Sequence, residues 1–173
     1  MRNPTVEAVF GLHVNSALQT GRIAYRPGGT MASAESFRIV IKGKQAHGAY
    51  PWSSVDPIVT ATQVVMGLQT IVSRNVELTE GAAVVSVGRI TGGVRANIIP
   101  EQVELEGTLR ALNDDTRALL RERVRAVATQ IAGAMGATAE LTVPDGVAYP
   151  VTFNDPKLTA RMLPSLQRAA GAE

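Results

Sequence analysis

Two histidines, His13 and His47, and no cysteine are all that this 173-residue chain offers in nitrogen and sulfur side chains of ligand grade. A zinc site needs three or four ligands brought together, so the histidines make one only if carboxylates join them, and most carboxylates here fall on strand edges and helix surfaces. Ser53 and Ser54 lie close to His47, but neither sits in the G-x-S-x-G turn that exposes a nucleophilic serine. The Thr91-Gly92-Gly93 stretch resembles half of a phosphate loop, but it lacks the lysine and joins two strands instead of opening a helix, a weak signal. Asn97 and Arg110 complete the polar candidates. Each has an ordinary structural reading. A loop histidine such as His47 is commonly a surface residue, and His13 inside an apolar run reads as a hydrogen-bonded core residue. Arg110 on a polar strand face reads as solvent-exposed or ion-paired, and Asn97 as a turn residue.

The elements that must position these groups follow from periodicity. Ser36–Gly43, "SFRIVIKG", alternates Phe37, Ile39 and Ile41 against Arg38 and Lys42, the period of a half-buried strand. The loop "GKQAHGAYPWSSVDP" (43–57) ends in Asp56-Pro57, an N-cap followed by a first-turn proline. Ile58, Ala61, Val65, Leu68 and Val72 then recur at helical spacing. "AAVVSVGRI" predicts a second strand, and "EQVELEGTLRAL" a third with Val103, Leu105 and Leu109 on one face. Asn113 or Asp114 caps a helix with the stripe Leu120, Val124, Val127, Ile131 and Met135, which Gly136 ends. "ATAELTV" predicts a fourth strand, with Ala139, Leu141 and Val143 inward.

The resulting order, β-α-β-β-α-β, predicts an α+β, ferredoxin-like split β-α-β sandwich: a four-stranded antiparallel sheet with two helices on one face. It occupies residues 33–145, leaving flanks 1–32 and 146–173. In the first flank "TVEAVFGLHV" (5–14) reads as a buried strand and "GRIAYR" (21–26) as another, with a break at Pro27-Gly28-Gly29. In the second, "NDPKLTARMLPSLQRAAG" reads as a short helix interrupted at Pro164.

Composition narrows the function. Apolar residues at 45% and charged residues at 18% describe a globular chain. A net charge of +2 gives no basic footprint for nucleic acid, and aromatics at 4% do not supply an RNA-stacking sheet. No run of about 18 apolar residues is present, so no membrane span is expected. The absence of cysteine and of a signal-like N-terminus leaves a soluble cytoplasmic protein as the default.

Taken together, "VFGLHV", "RPGGTMASAESFRIVIKGKQAHGAYPWSSVDPI", "VVSVGRITGG", "ANIIPEQVELEGTLR" and "FNDP" resemble the M20 metallopeptidase family. The likeness is to the branch of hippurate hydrolase and the indole-acetyl-amino-acid hydrolases. It covers nearly the whole chain, in order. In that family a catalytic domain with two divalent metals, zinc or manganese, and a general-base glutamate is interrupted by a smaller ferredoxin-like lid that also forms the homodimer. The resemblance implies that this chain is the lid, 33–145, with flanking pieces of the catalytic domain. His13 matches a metal ligand of the intact parent. His47 matches the lid histidine that reaches the partner subunit's active site and polarises the scissile carbonyl. Asn97 and Arg110 match residues that hold an N-acyl amino acid or small peptide, the arginine at its carboxylate, and Gly92 and Gly93 line the same region. Trp52 and the "RA" before "NIIP" depart from the family pattern at positions that bear on substrate preference. His-x-Asp and Glu-Glu motifs are lacking, so the chain alone is expected to bind no metal and to hydrolyse nothing. The competing reading is a stand-alone ferredoxin-like module that binds a free amino acid for regulation.

Overall fold

A computed structural model describes residues 5–77, 79, 81–143 and 149–171. The chain forms β1 (Gly28–Met31), β2 (Glu35–Lys42), β3 (Ala46–His47), a 3-10 turn at Pro51–Ser53 and α1 (Pro57–Asn75). It continues with β4 (Ala83–Gly92), β5 (Ile98–Ile99), β6 (Gln102–Ala111), α2 (Asp114–Ala134), β7 (Thr138–Thr142), β8 (Thr152–Asn154) and α3 (Pro156–Ala170). The main sheet has the order β4-β6-β2-β7, and every pair in it is antiparallel. Helices α1 and α2 cover one face, which is the expected split β-α-β architecture.

Alternation in β2 and β6 builds the core. Phe37, Ile39 and Ile41 stand opposite Gly107, Leu105 and Val103 in register, and all but the glycine are buried hydrophobic side chains at 0–1% exposure. From the helices come Val64, Leu68, Ile71, Leu120 and Val124, also at 0–1%. Both helices begin as expected. Asp56 Oδ1 accepts from the N–H groups of Ile58 and Val59 at 2.8 and 3.2 Å, and Asn113 Oδ1 accepts from Thr116 N–H at 2.7 Å. Such caps satisfy amides that the helix cannot reach.

The helix phase differs from the expected one. In α1 the buried stripe is Thr60, Ala61, Val64, Leu68 and Ile71, whereas Ile58 is 44% exposed. Val65 and Val72 pack only partly against the core. The doublets Val64-Val65 and Ile71-Val72 satisfy two stripes equally, and contact with α2 selects one. Met135 at the end of α2 is likewise exposed.

The entry and exit of the β-α-β-β-α-β unit lie together. Ser33 N–H donates to Ala111 O at 2.8 Å, and Ala34 and Tyr149 exchange both backbone hydrogen bonds at 3.0 Å. Beside them the Glu35 carboxylate, 1% exposed, receives Arg117 and Arg121 of α2 with N···O distances of 2.5–2.7 Å. Burial works to raise the Glu35 carboxyl pKa, but the hydrogen bonds from Arg121 and Arg117 outweigh it and hold the group below its ordinary value.

The flanks depart from expectation. Thr5–Val14 and Gly21–Arg26 form no strand, and every residue from 5 to 27 is exposed. A strand needs a neighbouring strand for its N–H and C=O groups; among the described residues no strand pairs with this segment, and the Arg26 carbonyl accepts instead from the Thr30 hydroxyl and the Asn154 amide. The Pro27-Gly28-Gly29 break instead leads into β1, which pairs with β8 (Gly28 opposite Asn154), with a register irregularity between Gly29 and Met31. Helix α3 runs continuously through Pro164. Ala160, whose carbonyl loses its partner there, is exposed, so water can replace the missing bond. The expected boundary at 145 lies outside the described residues.

Candidate functional site

The loop from Gly43 to Pro57 is a fixed platform. Lys44 and Val55 exchange backbone hydrogen bonds at 2.9 and 3.1 Å and close its base. A Cβ on Gly43 would meet the Val55 carbonyl at 2.1 Å, so only glycine lets the two edges approach this closely. At the tip, β3 pairs with β5, placing Ala46 opposite Ile99 and His47 opposite Ile98. Gly48 N–H then donates to the Asn97 carbonyl at 2.8 Å. These two-residue strands bring His47 and Asn97, fifty positions apart, to one rim.

The His47 imidazole is exposed. Its Nδ1 accepts the backbone N–H of Ala49 at 3.1 Å, which puts the proton of the neutral ring on Nε2. Nε2–H therefore points outward as a donor. Ala49 is a contributor that sequence reading does not single out, because it acts through its backbone. Tyr50 stacks obliquely beside the ring at 5.6 Å, and Trp52 lies edge-on to Tyr50 at 5.5 Å. Gly92 ends β4, and Gly93 has φ +79°, the left-handed turn that releases the chain toward Asn97.

Arg110 is elsewhere. It sits near the far end of β6, opposite Val84, beside the entry and exit of the unit. Eight residue steps separate it from Gln102 at the His47 end, about 27 Å along an extended strand. Along the open face of the sheet Arg38 pairs with Glu104, Lys42 with Glu140 at 2.6 Å, and Arg89 with Glu106 at 2.9 Å. Arg110 is exposed and, among the described residues, makes no ion pair on that face. Its guanidinium fork is thus open to a carboxylate.

His13, expected in a core or at a metal, is exposed, with Nδ1 2.5 Å from the Val14 carbonyl. Among the described residues no group of three or more His, Asp or Glu side chains is arranged to hold a metal ion, and no helix is long and apolar enough to cross a membrane. The polar groups do not converge into one enclosed centre. His47 and Asn97 lie toward one end of the sheet and Arg110 toward the other.

Residues 32–135 match the peptidase dimerisation domain of the M20 family. The chain belongs to the M20 family. It is 44% identical over 135 residues to the N-acetylcysteine deacetylase of Bacillus subtilis, covering 78% of this chain and 35% of that protein. Among solved structures, one described as an aminohydrolase from methicillin-resistant Staphylococcus aureus superposes with a TM-score of 0.82 at 33% identity. That match covers 91% of this chain and 41% of the other. A dinuclear metal-binding M20 peptidase from Bacillus subtilis superposes with a TM-score of 0.69 at 34% identity, covering 90% and 37%. The M20 chain described here therefore spans well under half the length of these relatives. The described residues do not themselves provide a two-metal centre.

Proposed function

We propose that the chain is the lid and dimerisation domain of an amidohydrolase that cleaves the N-acyl amide bond of an amino acid or small peptide, within the branch of hippurate hydrolase and the indole-acetyl-amino-acid hydrolases. The water-activating centre, with its zinc or manganese, lies in a catalytic domain that the described residues do not form. This chain's part is to bind and polarise. His47 Nε2–H donates to the scissile carbonyl oxygen as negative charge develops there, a role that a fixed donor fills without reorganisation. Asn97, on the same rim, holds the substrate, and Gly92 and Gly93 line the same region. Arg110 takes the free carboxylate.

The carrying observation is the separation of these groups. His47 and Asn97 stand at the end of the sheet remote from the chain's entry and exit, whereas Arg110 stands beside that entry and exit. One catalytic centre can meet both kinds of residue only if a second protomer supplies one set. The face that joins two protomers is the β4 edge with α1. β4 is ten residues long and, among the described residues, its outer side is unpaired, a ready template for strand addition. The opposite edge, β7, has five residues and carries the Lys42–Glu140 ion pair. From Pro57 to Ser73, α1 has no charged residue, and it exposes Val59 and Met66.

The test places residues 32–143 of this chain in the Bacillus subtilis N-acetylcysteine deacetylase, in place of that enzyme's own matching segment. The expected result is an active chimera whose kcat falls by about 100-fold or more with His47→Ala and whose KM rises with Arg110→Ala. An undiminished kcat in the His47→Ala chimera refutes the role in carbonyl polarisation. Turnover of N-acyl amino acids by the 173-residue chain alone, with zinc or manganese, refutes the division of labour.

A further inference from the structure

The Tyr50 and Trp52 side chains make no hydrogen bond to His47 among the described residues, yet the backbone that carries them is closely tied. Beyond the Lys44–Val55 closure, Tyr50 N–H donates to His47 O at 2.8 Å. The Ser53 and Ser54 hydroxyls donate to the Tyr50 and Pro51 carbonyls at 2.8 and 2.7 Å. On this frame Trp52 stands 78% exposed and Tyr50 56% exposed. A large aromatic side chain kept in water on a rigid turn forgoes the burial it gains elsewhere. Tryptophan and tyrosine fixed in this manner are the usual anchors of protein interfaces.

The occupant follows from what adjoins the pair. The loop runs directly into the uncharged α1, whose first turn shows Ile58 and Val59 at 44% and 46% exposure. Ile58 Cδ1 lies 3.9 Å from where a Cβ on Gly93 would stand, which links this surface to the end of β4. α2, by contrast, carries Asp114, Asp115, Arg117, Arg121, Glu122, Arg123 and Arg125. Uncharged sequence from Pro57 to Ser73 thus follows closely on the aromatic pair, in a domain that matches the peptidase dimerisation family. We propose that Trp52, backed by Tyr50, is an anchor that docks on a second copy of this chain, so that the contact joining two lids also sets how far His47 projects across. The inference rests on the dimeric reading above.

Trp52 is the single tryptophan of the chain, so its fluorescence reports one position. Dilution from high micromolar to nanomolar concentration, followed in parallel by sedimentation velocity, is expected to red-shift Trp52 emission and open it to acrylamide in step with dimer dissociation. Trp52→Ser is expected to weaken the dimer by about 30-fold, the size of a hot-spot truncation. Trp52→Phe is expected to recover most of it, both variants keeping the circular dichroism of the parent. A dimer whose Trp52 emission ignores dilution and whose Trp52→Ser variant associates as tightly overturns the anchor and leaves the dimeric reading standing. A monomer at every concentration overturns both. Emission that ignores dilution but shifts with N-benzoylglycine or N-acetylglycine assigns Trp52 to a ligand, and the anchor is again refuted.

Discussion

Replacing Glu35 with glutamine removes a charge and leaves the shape. In the wild type the buried carboxylate accepts from both Arg117 and Arg121. Breaking a fully buried pair costs about 3–5 kcal/mol. Here the arginine side chains are 22% and 41% exposed and can turn to water, so about 2–3 kcal/mol is expected. In a domain of about 110 residues that lowers the thermal midpoint by roughly 10–15 °C at neutral pH. The pH dependence has a definite sign. The folded carboxyl titrates below its ordinary value of 4.5, so its stabilisation is complete above that value and disappears as pH falls through the depressed one. Melting curves by circular dichroism, taken at neutral pH and at successively lower values, should show the gap between wild type and Glu35→Gln closing below 4.5. A gap under about 2 °C at neutral pH, or one that persists unchanged into acid, refutes the reasoning.

Asp56→Ala should cost about 1 kcal/mol by removing the α1 cap, read as a lower midpoint in urea with an unchanged slope. Leu105→Ala, at a position with 0% exposure, should cost about 2–5 kcal/mol and be visible in the same titration. His47→Ala should leave the melting temperature within about 2 °C of wild type, since an exposed side chain is lost; a larger drop would make the imidazole structural. Met66→Glu, on the uncharged face of α1, should shift sedimentation velocity toward monomer without lowering helicity.

What could be read in advance was whatever period and capping impose locally. The alternation of β2 and β6, the Asp56-Pro57 start of α1 and the Asn113 cap of α2 were explicit in the residues. The doublets in α1 were not, because neighbouring valines and isoleucines cannot say which of two stripes a packing partner selects. β3 and β5 were invisible for another reason: two residues carry no period, and their pairing depends on a contact fifty positions away. Glu35 carried a signal that the alternation itself provides. It shares the parity of Phe37, Ile39 and Ile41, and a charge at an inward position announces a buried partner; only the fold identifies Arg117 and Arg121. At the site, His47, Asn97 and Arg110 stood out by type, whereas their division between two ends of a sheet is a property of strand direction. The first flank misled because apolar composition states a need for burial without supplying the neighbour.

The crossings at Ser33 and Tyr149 sit at one end of the sheet and the imidazole of His47 at the other. With strands of this length the arm is roughly 30 Å. A tilt of about ten degrees where the chain crosses therefore sweeps the ring through about 5 Å, nearly two hydrogen-bond lengths, with no change inside the sandwich. Any angular difference at the crossing is thus magnified at the imidazole by the length of the arm.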